Sequence, residues 1–426
     1  MDGPWVGHCV RVFVGATLVF ASGCRASFTG PYPCETDYAS CLDPSQNTCE
    51  TNTASDALNC GACGHRCGVG ALCVASSCGP PAVQIAQLSA GSGVVVKTNS
   101  SSAFWSNSSG IFSAPMSAGA GTAVTTLATD GFTCNNLGIP FAVDDANYYY
   151  LSNGSGCVGS GPCGGLTQVS LASGTRTVLV SASTSGGSAC GSIAVGATSV
   201  YLLTSQQQSN VATYTLFSAL IGVAGQTAST LASVQSINGP STSLAINSTA
   251  LFFFSTGSNS AQSLQIVPIN GGMVTALPVS GFFDGPAGGA MFADEANVYT
   301  LTGGCPCSGD NNQPYTGRPL GGINKTPLAG GPTTTIFTFS GALGGIAVDS
   351  ADVYWSTDTT AWKVPLTGGK ATALAGNLTG GVAAYQCNGC NSGGSAQTES
   401  TAVALGASGL YIGATGTENE LLRVAK

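Results

Sequence analysis

The fold is decided by Gly345-Ile-Ala-Val-Asp349-Ser-Ala-Asp352-Val-Tyr354-Trp355-Ser-Thr357, a stretch that returns along the chain. It recurs as Phe141-Ala-Val-Asp144-Asp-Ala-Asn147-Tyr-Tyr149-Tyr150 and as Met291-Phe-Ala-Asp294-Glu-Ala-Asn297-Val-Tyr299. Weaker copies run over 193–201, 244–252 and 403–411, and the loosest over 94–105. Aligned on their aromatic residue, the seven copies place Phe104, Tyr149, Tyr201, Phe252, Tyr299, Tyr354 and Tyr411 in register, at spacings of 45 to 57 residues. An internal period of that length identifies a repeat architecture.

Each unit reads as four strands. A short apolar strand leads through a turn containing Asp, Asn or Gly to the aromatic strand. A third strand such as Ala361-Trp-Lys-Val-Pro-Leu366 follows, then a turn such as Thr367-Gly368-Gly369, then a fourth run, Lys370–Ala375. Paired glycines at Gly271-Gly272 and Gly330-Gly331 mark the same hairpin, because a tight turn needs positive φ. Four antiparallel strands per unit make a propeller blade. The expected fold class is therefore all-β, a seven-bladed β-propeller. The seventh unit ends after its third strand, Glu420–Lys426, while Ala82–Leu88 alternates apolar and polar and belongs to no unit. That N-terminal strand is expected to close the last blade.

Val348-Asp349 followed by Val353-Tyr354-Trp355-Ser356-Thr357-Asp358, with Lys363-Val364-Pro365-Leu366-Thr367-Gly368-Gly369, resembles YWTD and related blades of extracellular and bacterial surface propellers. The resemblance covers 82–426 at the level of blade pattern and implies fold alone.

Composition narrows the partners. Only 7% of the 426 residues are charged, the formal net charge is −8, and the 11 Lys and Arg are scattered singly, so a phosphate-binding face and a nucleic-acid partner are not expected. Past residue 30 the apolar runs are too short to span a bilayer. At the start, Arg11 precedes the apolar run Val12–Ala21 and the small residues Ser22 and Gly23, which has the shape of a signal peptide over 1–23. Leu18-Val-Phe-Ala-Ser-Gly-Cys24 also resembles a bacterial lipobox, with Ala21 where Leu is usual. Its alternatives are lipidation at Cys24, the chain's one expected link to a membrane, or a plain cleaved signal. A linker, 24–33, follows.

The cysteines point to an oxidising compartment. Of 18, Cys9 and Cys24 fall in the leader region, leaving eight before residue 80 and eight after residue 130. The first eight, Cys34, Cys41, Cys49, Cys60, Cys63, Cys67, Cys73 and Cys78, lie in a small module over 34–81 with few apolar residues, where staples substitute for a core. Cys60-x-x-Cys63 with His65 and Cys67 has zinc-like spacing, but so dense a set in an exported chain favours disulfides. Asn59-Cys60-Gly61-Ala62-Cys63-Gly64 resembles a module of large exported myxobacterial proteins. Gly79-Pro80-Pro81 closes the module, and the propeller is placed at 82–426. In the ring the cysteines read as loop staples: Cys157 with Cys163, Cys305 with Cys307 or a neighbour, Cys387 with Cys390, and Cys134 with Cys190.

No histidine occurs between 82 and 426, which disfavours His-dependent lyases and hydrolases. Carboxylates remain. Asp144, Asp294 and Asp349 hold equivalent places, with Asn247 in a fourth unit, and an Asp before a strand ordinarily bonds its own turn. Calcium, the one cofactor weighed, would find its donors in Asp144-Asp145, Asp294-Glu295 or Asp310. No catalytic residue is singled out. The expected function is an exported surface or periplasmic binding or scaffold protein that grips a protein or glycan with propeller loops. The alternative is a calcium-dependent hydrolase or lyase using carboxylates.

Overall fold

The computed structural model describes residues 38–41, 51–88, 94–119, 121–131, 139–153, 164–181, 191–208, 211–236, 243–256, 262–278, 291–303, 321–339, 343–357, 360–376, 378, 402–414 and 420–426. The leader, the linker, Cys24, Cys34, Cys49, Cys134, Cys157, Cys163, Cys190, Cys305, Cys307, Cys387, Cys390 and Asp310 lie outside them. The chain forms two compact units, one of Met1–Cys67 and Cys73–Gly79, the other of Gly68–Leu72 and Pro80–Lys426.

The larger unit is a seven-bladed β-propeller. Seven four-stranded antiparallel sheets follow one another in chain order, each in simple meander order. Their aromatic second strands are Ser102–Asn107, Asn147–Asn153, Ser199–Gln208, Ala250–Thr256, Asn297–Gly303, Asp352–Thr357 and Gly409–Ala414, which number blades 1 to 7. All seven aligned aromatics are buried, Tyr149, Phe252 and Tyr411 completely. They alternate in direction with their neighbours, so one face of each blade packs on the blade before and the other on the blade after. Tyr148 and Tyr150 of blade 2 join Phe104 of blade 1 in one apolar cluster, while Tyr149 joins Ile193 and Val200 of blade 3 in the next.

The turns follow the residues. Gly271-Gly272, Gly330-Gly331 and Gly368-Gly369 all adopt positive φ, between 79° and 135°, where a side chain would be strained. In six of seven blades the third and fourth strands slip register by a bulge, which steepens their twist.

Ring closure is as expected. Val83–Gln87 pairs antiparallel with Glu420–Val424, as the fourth strand of blade 7. Ile85 and Leu421 are buried to 1% and 0% exposure, and Gln84 Nε2 donates to Glu420 Oε1 at 2.9 Å across the seam. Gly68–Leu72 groups with the ring because Val69 packs in the cluster of blades 6 and 7 and its carbonyl accepts from Ala82 N at 3.1 Å.

The smaller unit is held by disulfides. Cys41–Cys63, Cys60–Cys73 and Cys67–Cys78 span 22, 13 and 11 residues. Cys73 and Cys78 face each other on a hairpin, yet each bonds to the 60–67 segment, which pins both strands to it. Gly61 is required there: its φ is +75°, and a Cβ would lie 2.7 Å from the Ser76 carbonyl oxygen. His65 Nδ1 meets the Cys60 carbonyl at 2.5 Å. The sulfurs of Cys60, Cys67 and Cys78 do cluster, as two adjacent disulfides rather than as free thiolates. Such bonds belong to an oxidising compartment, the setting of an exported protein.

Candidate functional site

The repeated acids stand at the turn between the first and second strands of blades 2, 5 and 6, and their geometry is uniform. Asp144 Oδ1 accepts from the backbone N–H of Ala146 and Asn147 at 2.7 and 2.6 Å, and Oδ2 accepts from the Tyr149 hydroxyl at 2.6 Å. Asp294 does the same with Ala296, Asn297 and Tyr299, and Asp349 with Ala351, Asp352 and Tyr354. Burial alone would raise the carboxyls of Asp294 and Asp349, but the two turn amides and the tyrosine hydroxyl outweigh it and hold both below the usual carboxylate range.

The blades sort by this position and the aromatic five residues on. Asp is followed by Tyr at 144/149, 294/299 and 349/354, Asn by Phe at 99/104 and 247/252, and Gly by Tyr at 196/201 and 406/411. The chemistry explains the pairing. A carboxylate only accepts, so its second oxygen needs a hydroxyl; an amide carries its own donor, so the ring beside it needs none. The amide's donor goes to the neighbouring blade instead. Asn99 Nδ2 donates to the Asp144 carbonyl at 3.2 Å, and Asn247 Nδ2 to the Asp294 carbonyl at 2.9 Å.

The acid that follows Asp144 and Asp294 answers in the other direction. Asp145 Oδ1 accepts from Ser100 N at 2.9 Å, while Glu295 takes Ser248 N at 3.0 Å and its hydroxyl at 2.7 Å. The Ser100 amide and hydroxyl together hold the Asp145 carboxyl below its ordinary range. Thus Asp144, Asp145, Asp294 and Glu295, the acids read as calcium donors, form two reciprocal clamps, joining blade 1 to 2 and blade 4 to 5. The two pairs stand in separate blades and do not share a site.

Three further features escaped the sequence reading. Asp130 bridges Arg176 at 2.6 Å and accepts from the Tyr150 hydroxyl at 2.8 Å, with the guanidinium 5.5 Å from the Tyr150 ring centre. Lys97 lies on the innermost strand of blade 1, where the other blades carry Ala or Phe292. Its side chain reaches solvent, but protein surrounds it, and desolvation lowers its pKa. Between blades 3 and 4 a cavity of about 370 Å³ is lined by Val195, Gly196, Tyr201, Ile246 and Ile269 together with Thr198 and Ser248.

No protein-family model matches the chain, and no curated protein does. Solved structures match across most of the chain. The WD40 domain of Neurospora crassa Pan2 is 10% identical, over 79% of this chain and 89% of that one, with a TM-score of 0.50. An oligogalacturonate lyase in complex with manganese is 11% identical, over 78% and 90%, at 0.49. The likeness to the Pan2 domain is one of fold alone. The extracellular domain of a hybrid two-component system from B. thetaiotaomicron is 11% identical at a TM-score of 0.46 over 80% of this chain, which spans about 39% of that protein's length.

Proposed function

We propose that the protein is an exported binding module of the cell envelope, its ring holding a protein or glycan and its leader region, through lipidated Cys24, supplying attachment. The observation that carries this reading is the use to which the ring puts its acids. Asp144, Asp145, Asp294, Glu295 and Asp349 are each spent on their own turn, a tyrosine hydroxyl or a neighbouring blade. A carboxylate-based hydrolase needs two such groups converging on one bond, and here they serve separate blades. The three disulfides support an extracytoplasmic setting.

The test is made in two parts. Fractionation of the producing cell finds the full chain in the envelope, with Cys24→Ser releasing it to the soluble fraction. Purified chain then retains an envelope glycan or a defined envelope protein at micromolar concentration without altering it. A cytoplasmic location, or turnover of a bound polysaccharide with added calcium, would reject the reading.

A further inference from the structure

We infer that the cavity between blades 3 and 4 is a ligand site for a compact uncharged molecule with an apolar body and one polar edge. The inference rests on the reading of the ring as a binding module and adds the place and the chemical class.

The cavity exists because one side chain of the repeat is missing. The turn at Gly196 has the backbone bond of its counterparts: Gly196 N donates to the Ser199 carbonyl at 2.9 Å, as Asp144 does to Asn147, Asn247 to Ala250 and Asp294 to Asn297 at 3.0 Å each. Gly196 is not among the positive-φ glycines, so the backbone does not demand glycine there. What the glycine provides is space.

Gly406, the other glycine at this position, shows the contrast. Its space is filled from blade 1: a Cβ there would meet Met116 Cε at 2.6 Å and Tyr411 Cε2 at 2.7 Å. Arg423, which faces Tyr411 across the strands, donates through Nη1 to the Met116 carbonyl and seals the junction. At blade 3, Ser218 faces Tyr201 and Ile269 stands in the place of Met116. A Cβ on Gly196 would have as its nearest neighbours Tyr201 Cε2 at 3.1 Å, Ile246 Cδ1 at 3.4 Å and the Ser199 carbonyl oxygen at 3.6 Å, looser than at Gly406, with the two side chains giving way by a few tenths of an ångström. An Asp here would accept from two turn amides and the Tyr201 hydroxyl as in three other blades. A stabilising residue is thus absent beside this cavity, as stability yields to function at binding sites.

The lining sets the ligand class. The walls are β-branched residues and a tyrosine ring, and no charged side chain lines the cavity. Of its polar edge, the Asn247 amide is committed to Asp294 and the Ser248 hydroxyl to Glu295. A sugar ring, which needs many free partners, is poorly served. A mainly apolar uncharged ring suits this lining better, and the volume, about 370 Å³, falls at the small end of ligand sites.

Indole is the probe, with indole-3-acetate and methyl β-glucoside as charged and polyhydroxyl comparators, read by saturation-transfer NMR on the full chain. Indole should bind the wild type with a Kd on the order of 1 mM, and both comparators at least tenfold more weakly. Gly196→Asp should lose at least tenfold in indole affinity while its melting temperature holds or rises by about 2 °C, so that loss cannot be laid to misfolding. Ile269→Met, which copies the plug of blade 1, should lose affinity as well and decides the matter if the first variant folds poorly. Absence of indole binding to the wild type, equal binding of a comparator, or undiminished binding to both variants overturns the inference. Envelope retention by Gly196→Asp at wild-type level, alongside any of these, would place the binding module's contact elsewhere while leaving that reading standing.

Discussion

Exchanging an Asp–Tyr pair for an Asn–Phe pair in blade 5 should cost less than either half of the exchange. Tyr299 is 1% exposed, and its hydroxyl donates to Asp294 Oδ2 at 3.0 Å. Tyr299→Phe deletes that donor and leaves a carboxylate oxygen facing a ring edge, a loss of about 1.5–3 kcal/mol for a hydrogen bond to a charged group. Asp294→Asn keeps the two turn amides, whose counterparts in blade 4, Thr249 N and Ala250 N, donate to the Asn247 oxygen at 2.9 and 2.8 Å. It nevertheless sets an amide donor against a hydroxyl and forfeits the charge-assisted bond, at about 1–2 kcal/mol. The double variant rebuilds what Asn247 and Phe252 make in blade 4, where the freed amide reaches the next blade's carbonyl. Its cost should be about 1 kcal/mol, so the singles and the double differ from additivity by at least about 1 kcal/mol. Urea midpoints of the four chains, with disulfides intact and a common slope, measure this. Additivity within about 0.3–0.5 kcal/mol would refute the pairing rule.

Three further outcomes follow from the same geometry. Removal of residues 82–88 should abolish the cooperative melt of the ring, and Ile85→Ala alone should cost about 2–4 kcal/mol because Ile85 is 1% exposed; an unchanged melting temperature would contradict the seam. Burial pushes the hydroxyls of Tyr148 and Tyr299 up to about 12, against about 10 in an unfolded chain. Their contribution is fully present below pH 10 and is lost as pH rises through the folded value, so absorbance at 295 nm should show tyrosines that ionise only with unfolding. In acid the sign reverses: Asp130, Asp294 and Asp349 titrate below their ordinary value, so their contribution is present above about pH 4 and lost as pH falls through the folded values. A circular-dichroism acid titration with its midpoint above pH 5 would oppose this.

The sequence carried the blades because their signal is local. An apolar strand, a turn residue and an aromatic five positions on can be read within a dozen residues, and a leftover strand at one end answered a missing strand at the other. The clamps were not legible, because Asn99 and Asp144 are 45 residues apart and meet only once the ring sets adjacent turns side by side. Asn99 was also hidden in the loosest copy. Had the pairing of Asp with Tyr and Asn with Phe been noticed, it would have assigned those acids to turns directly. Gly196 read as a weak copy of the repeat, since nothing in a one-dimensional pattern distinguishes a glycine filled by Met116 from one left open. The smaller unit's disulfide pairing was not legible either, because Cys73 and Cys78 face each other on a hairpin of two-residue strands yet bond to Cys60 and Cys67.

The seam at Gln84 and Glu420 joins residues 336 apart. Closing a chain segment of that length costs about 5 kcal/mol in conformational entropy before any contact repays it. A ribosome delivers Val83–Gln87 first among the ring strands, and its partner Glu420–Val424 last among them. While the other ring strands are made, an alternating apolar strand therefore has no edge to join, whereas the disulfides of the preceding unit close loops of only 11 to 22 residues. The first ring strand made is the last one used. During that interval its most accessible substitute is the identical vacancy in blade 7 of another copy, so crowding of nascent chains would yield strand-exchanged dimers and chains of rings from the same contacts that close one.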